Sequence, residues 1–181
     1  DIMPMLDENR TIVKFGLRFM HLGCQNKGLR RLIELSGLDY KKLKTSDVSF
    51  GIAPRINAAG RLGDATLGVK LFLADDDALI EQYCTQLIET NQERRSLQDD
   101  ALSRSLEIAE KQHAEDDFLV LEVNDAHEGV LGIVAGKIRE TVNRPCIIVT
   151  QSGEYYKGTG RSIDTVDLFE MLDKYRDEFI S

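Results

Sequence analysis

Up to about residue 117 the apolar positions recur at helical spacing; beyond it they gather into short β-branched runs separated by one more helical stretch. The first helix is expected over residues 10–22, with Ile12, Val13, Leu17, Phe19 and Met20 on a broad face. Asp7 or Asn9 can cap it and Gly23 stops it. A second is expected over Lys27–Leu35, capped by Asn26 and stopped by Gly37. The longest signal runs over residues 75–112. Leu79, Tyr83, Leu87 and Ile88 form an apolar stripe near its start, and Ala101, Leu102, Leu106, Ile108 and Ala109 form another near its end. Residues 91–100 between them are polar except for Leu97. That pattern predicts one continuous helix, solvated in its middle and bridging two packed bodies. The competing reading is a helix on a single core with a locally interrupted stripe.

Past that helix, FLVLEV at 118–123 and CIIVT at 146–150 are strand-length aliphatic runs with a helix expected over residues 128–142 between them. Strand, helix and strand at this separation form a βαβ crossover with parallel pairing. A further strand, EYYKGTG at 154–160, makes the sheet mixed, and a last helix is expected over 167–179. The fold class is α/β: a helical body of residues 1–74, a connecting helix of residues 75–112, and a partial α/β body of residues 113–181.

Composition agrees, since 181 residues with 42% hydrophobic and 30% charged side chains suit one large or two small globular domains. No apolar run approaches the roughly 18 residues of a membrane span, so a cytoplasmic protein without a membrane partner is expected. Cys24, Cys84 and Cys146 lack C-x-x-C spacing and read as buried free thiols. Net charge is −8, which taken alone argues against nucleic acid. It is unevenly spread, at +5 over residues 1–74, −9 over 75–117 and −4 over 118–181, so the bodies flanking the acidic helix can still carry basic surfaces.

Three stretches invite chemistry. In TSDVSFGIAPRINAAGRLGDA at 45–65, Thr45 can cap a short turn of helix that Pro54 ends. Arg55 and Arg61 then flank the small residues Asn57, Ala58, Ala59 and Gly60. Guanidinium groups beside closely approachable backbone suit a phosphate, and they equally suit a tight helix crossing. His127, Glu128 and Gly129 fall at a helix start, where the histidine can line an anion site or serve as a cap. In KGTGRS at 157–162, Thr159 lies between two glycines ahead of Arg161 and Ser162, a phosphate-binding set or a hairpin turn with a surface arginine. Neither G-x-x-x-x-G-K-[ST] nor G-x-G-x-x-G occurs.

Together these motifs resemble a known family. PRINAAGR at 54–61, an N-x-x-R from Asn91 to Arg94, HEGVLGIVAGK at 127–137, KGTGRS at 157–162 and the opening DIMPMLDENR are similar to RecJ single-strand-specific exonucleases of the DHH/DHHA1 phosphoesterase superfamily. The resemblance covers essentially the whole chain. It implies the end of a DHH domain (1–74), the connecting helix (75–112) and a shortened DHHA1 domain (113–181). It further implies 5′-to-3′ hydrolysis of single-stranded DNA with a free 5′ end, in DNA repair and recombination, using two Mn²⁺ or Mg²⁺ ions. By position, Asp1 matches a metal-ligating catalytic aspartate. Arg55 matches the family's phosphate-reaching arginine, Thr159 and Arg161 fall where a hydroxyl and an arginine bind the terminal phosphate, and Asn57, Arg61 and Ser162 beside them are expected to contact nucleic acid or phosphate. His127 matches the histidine at the DHHA1 helix start, and Thr159 stands where serine is frequent.

The family's D-H-H and G-G-H segments are absent, so the expectation is a piece of a larger enzyme, inactive by itself and unable to retain the metals. A DHH phosphodiesterase for short RNA or cyclic dinucleotides, and a non-catalytic nucleic-acid-binding module, are the alternatives.

Overall fold

The computed structural model describes residues 3–179. Two compact units, residues 1–93 and 94–181, divide the chain. The helices are α1 Asp7–Gly23, α2 Lys27–Leu35, α3 Ala53–Leu62, α4 Thr66–Leu73, α5 Asp77–Gln112, α6 Glu128–Val142 and α7 Leu168–Asp173, and the strands are β1 Leu119–Glu122, β2 Cys146–Ser152 and β3 Tyr155–Arg161. No helix among the described residues is long and apolar enough to cross a membrane.

The first unit is helical and its core gathers Leu32, Ile33, Leu43, Ile52, Leu71, Ile80, Cys84 and Leu87. Asn26 serves twice there: its Oδ1 accepts from Leu29 N at 2.8 Å to cap α2, and its Nδ2 donates to Phe72 O at 2.8 Å beyond it. Gly28 lets α2 and α4 meet, because a Cβ at that position would lie 2.2 Å from Leu71 O.

The 45–62 stretch departs from expectation. Pro54 does not end a helix; it sits in the first turn of α3, where its missing N–H leaves no intrahelical bond unmade. Thr45 and Ser46 open a helical run, Asp47–Ile52 widen it into a π-helix, and α3 follows without a break. The Ala53 N–H reaches back to Val48 O, five residues earlier, as that wider turn requires.

Helix α5 begins two residues later than expected because Asp76 is its cap, accepting from Leu79 N at 2.9 Å. Its first half supplies Ile80, Cys84 and Leu87 to the first core, and its second half supplies Ala101 and Ala109 to the second. The middle is solvated over Gln92, Glu93, Arg95, Ser96, Asp99 and Asp100, as expected, but its remaining face is buried. Asn91, Arg94 and Gln98 are 2%, 9% and 5% exposed, spaced by three and four residues on one helix face. Polarity there marks paired burial: Arg94 Nη1 donates to Gln98 Oε1 at 2.7 Å, and Gln98 Nε2 donates to Asp99 Oδ1 at 3.1 Å.

The second unit is α/β, with sheet order β1-β2-β3, parallel between β1 and β2 and antiparallel between β2 and β3. Leu119, Leu121, Cys146 and Ile148 are buried with Val130, Leu131, Val134, Ala135 and Ile138 of α6. All three cysteines are buried free thiols, as the sequence suggested. The closing helix is shorter than the expected 167–179: α7 ends at Asp173 and a single 3₁₀ turn follows at Arg176–Glu178. Phe169 and Met171 are 71% and 42% exposed, so little packing supports a longer helix.

Candidate nucleic-acid interface

Register fixes which β3 side chains face α6. Cys146 pairs with Arg161, Ile148 with Thr159 and Thr150 with Lys157, and paired residues share a sheet face. Ile148 and Cys146 are buried against α6, and Cys146 Sγ lies 3.3 Å from Ala135 O, so Lys157, Thr159 and Arg161 stand in a row on the α6 side. The intervening Gly158 and Gly160 lie on the other face, where a Cβ on Gly160 would meet Leu168 Cδ2 at 2.4 Å.

Opposite this row, α6 presents Gly132. A Cβ there would come 3.4 Å from Arg161 Nη2 and 3.8 Å from Thr159 Oγ1, so the glycine borders both polar groups. Arg161 is exposed, and its Nη1 donates to Gly160 O at 2.9 Å. No carboxylate among the described residues forms an ion pair with it. Lys157, by contrast, is neutralised by Glu128 at 2.6 Å, and that hydrogen bond holds the Glu128 carboxyl below its ordinary range. Thr159 and Arg161 therefore offer a hydroxyl and a guanidinium side by side, the combination that binds a phosphate through charge-assisted hydrogen bonds.

The other expected residues belong to other elements. Ser162 follows β3, and its hydroxyl donates to Val166 O at 2.6 Å, closing the turn before α7. His127 is the N-cap of α6: its Nδ1 accepts from Gly129 N at 3.1 Å. It sits five residues, about 7.5 Å of helix rise, from Gly132. Arg55, Asn57 and Arg61 belong to α3 in the first unit. The Arg55 guanidinium donates to Gly51 O, while Asn57 and Arg61 are exposed. Asp1 lies outside the described residues.

Two features were missed by the sequence reading. Gly132 was hidden among the glycines of GVLGIVAGK, although the four-residue step from Gly132 to Gly136 puts both on one face of α6. The Arg94–Gln98 pair was hidden by its polarity, although its four-residue spacing is that of a side-chain hydrogen bond along a helix.

Among the described residues no three His, Cys, Asp or Glu side chains cluster as a metal ion would need.

No family model matches the chain. Curated relatives do. The chain is 34% identical over 179 residues to the single-stranded-DNA-specific exonuclease RecJ of Dickeya dadantii, covering 96% of this chain and 31% of the relative. It is 37% identical over 177 residues to RecJ of Thermus thermophilus, covering 98% and 25%. The Bacillus subtilis RecJ shares 33% over 179 residues, covering 98% and 23%. The chain thus spans about a quarter to a third of the length of the curated relatives it matches. Among solved structures, RecJ from Thermus thermophilus in complex with Mg²⁺ superposes with a TM-score of 0.87 at 35% identity, over 100% of this chain and 28% of that one. An exonuclease RecJ bound to manganese superposes with a TM-score of 0.80 at 36% identity, over 96% and 42%. Sequence and fold agree along nearly its whole length: the chain is a segment of the RecJ type.

Proposed function

We propose that this segment grips the backbone of single-stranded DNA in a 5′-to-3′ exonuclease that acts in DNA repair and recombination in the cytoplasm. The juxtaposition of Thr159 Oγ1 and Arg161 Nη2 around Gly132 carries this reading, because it offers hydroxyl and unneutralised guanidinium together on an edge of the unit. Thr159 and Arg161 bind the terminal phosphate and Gly132 keeps the approach open. Arg55, Asn57 and Arg61 of α3 contact phosphates from the first unit. His127 orders the start of α6 through its cap and contributes to nucleic-acid binding from there, and Ser162 fixes the turn that follows Arg161.

In the intact protein, bound divalent metal would activate the attacking water and stabilise the leaving oxygen of the phosphodiester, a role that the Mg²⁺ and Mn²⁺ complexes of its structural neighbours support. Asp1 is proposed as one ligand, and the others come from outside this segment.

The test is nucleotide release from 5′-phosphorylated single-stranded DNA by the intact protein with Mn²⁺. Arg161→Ala is expected to lower kcat/KM at least tenfold while the purified segment alone releases nothing. An Arg161→Ala enzyme as active as the parent, or turnover by the segment that persists through further purification, contradicts the reading.

A further inference from the structure

Phe50 is 77% exposed, and its setting differs from that of the exposed apolar side chains of α1. Ile12, Phe15, Phe19 and Leu22 lie together on α1, so their surface is an apolar one. Phe50 stands in the π-helical stretch Asp47–Ile52, directly ahead of α3. The inward side of this run is defined by Ile52 and Ala59, both buried, and by Ile56, which packs against the same core. Phe50 points the other way, and four, seven and eleven residues on from it come Pro54, Asn57 and Arg61. One helix face therefore carries an aromatic ring, an amide and a guanidinium, with Asn57 and Arg61 exposed beside it.

The wide turn also ties Phe50 to Arg55. Gly51, the residue after Phe50, packs so closely that a Cβ there would lie 3.0 Å from Leu38 Cδ1, and its carbonyl accepts the Arg55 guanidinium. The arginine head group is thus held by the carbonyl of the residue next to Phe50. π-Helical turns that re-aim side chains are frequent at functional sites. An aromatic ring set among cations is how single-stranded nucleic acid is held without sequence preference: the cations track phosphates and the ring stacks on a base.

We infer that Phe50 stacks on a nucleobase of the single strand whose phosphates Arg55 and Arg61 contact. This rests on the proposed role of α3 as a nucleic-acid contact and adds the base to it. A stacked ring accepts any base, so the contact supplies affinity for unpaired bases while leaving sequence unread.

The test compares the intact protein with its Phe50→Ala, Phe50→Trp and Arg61→Ala variants, binding oligothymidylate and a strand of equal length made of abasic units. Phe50→Ala is expected to weaken oligothymidylate binding about tenfold and to leave abasic-strand binding unchanged. Phe50→Trp is expected to restore the loss, with its fluorescence quenched by oligothymidylate alone. Arg61→Ala is expected to weaken both strands alike and to flatten the salt dependence by roughly one phosphate contact. Equal losses for both strands in Phe50→Ala, or no loss, with the Arg61→Ala effect intact, overturn the stacking role alone. An Arg61→Ala variant that binds both strands like the parent overturns the reading of α3, and the stacking role falls with it.

Discussion

Arg94 and Gln98 are joined by a 2.7 Å hydrogen bond while both side chains are buried on one face of α5. A charged donor held this way makes its acceptor costly to remove, since truncation leaves polar atoms poorly matched without water to replace the partner. Gln98→Ala is expected to destabilise the chain by about 1 to 3 kcal/mol, against the roughly 0.5 kcal/mol of an ordinary surface change. Gln98→Glu keeps an acceptor and is expected to recover most of that loss. Urea unfolding of the three proteins checks this; a Gln98→Ala variant as stable as the parent contradicts it.

Gly28→Ala tests the packing of the first unit. The added Cβ would lie 2.2 Å from a backbone oxygen of α4, and backbone cannot turn aside as a side chain can. Although alanine favours helices by about 1 kcal/mol, the crowding is expected to win and cost about 2 kcal/mol or more net. An unchanged or raised denaturation midpoint would show that α2 and α4 are not this close.

Thiol chemistry reports on both cores. Burial raises the Cys24 and Cys146 thiols above their ordinary range and pushes Cys84 up to about 11. At pH 8 none of the three is expected to react with a thiol-disulfide reagent in the folded chain, and all three are expected to react in denaturant. Rapid modification under native conditions would contradict the buried placement.

Asp64 gives a pH signature. Its hydrogen bonds from Thr66 and Lys70 lower its pKa from 3.8 to about 2. A carboxylate depressed by folding adds stability that is complete above its unfolded value and lost as pH falls through the folded one. Asp64→Asn is therefore expected to melt below the parent at pH 6, with the difference shrinking from pH 3.8 downward and closing near pH 2. A difference that stays constant over that range would remove the carboxylate from the account.

Where the sequence failed to predict these relationships, the failure has physical causes. The βαβ crossover was legible because aliphatic runs such as CIIVT and the period of α6 both follow from burial, which a single side chain's type reveals. The N-cap at Asn26 was legible for the same local reason. The middle of α5 was not, since a polar side chain is compatible with water or with a buried partner, and only the fold shows that Gln98 meets Arg94. Pro54 misled because proline ends a helix from within yet suits its first turn, and the π-helical run before it has no compositional mark. Of the candidate site, Thr159 and Arg161 could be named from spacing, but Gly132 gains its meaning only from the register of β3 against α6.

The most direct test of the phosphate assignment compares 5′-phosphorylated with 5′-hydroxyl single strands as ligands of the intact protein and its Arg161→Ala variant. A charge-assisted hydrogen bond to a terminal phosphate is worth roughly 1.5 to 3 kcal/mol, so the variant is expected to lose at least tenfold more affinity for the phosphorylated strand than for the hydroxyl strand. Equal losses for the two strands would contradict the assignment and make Arg161 a general backbone contact.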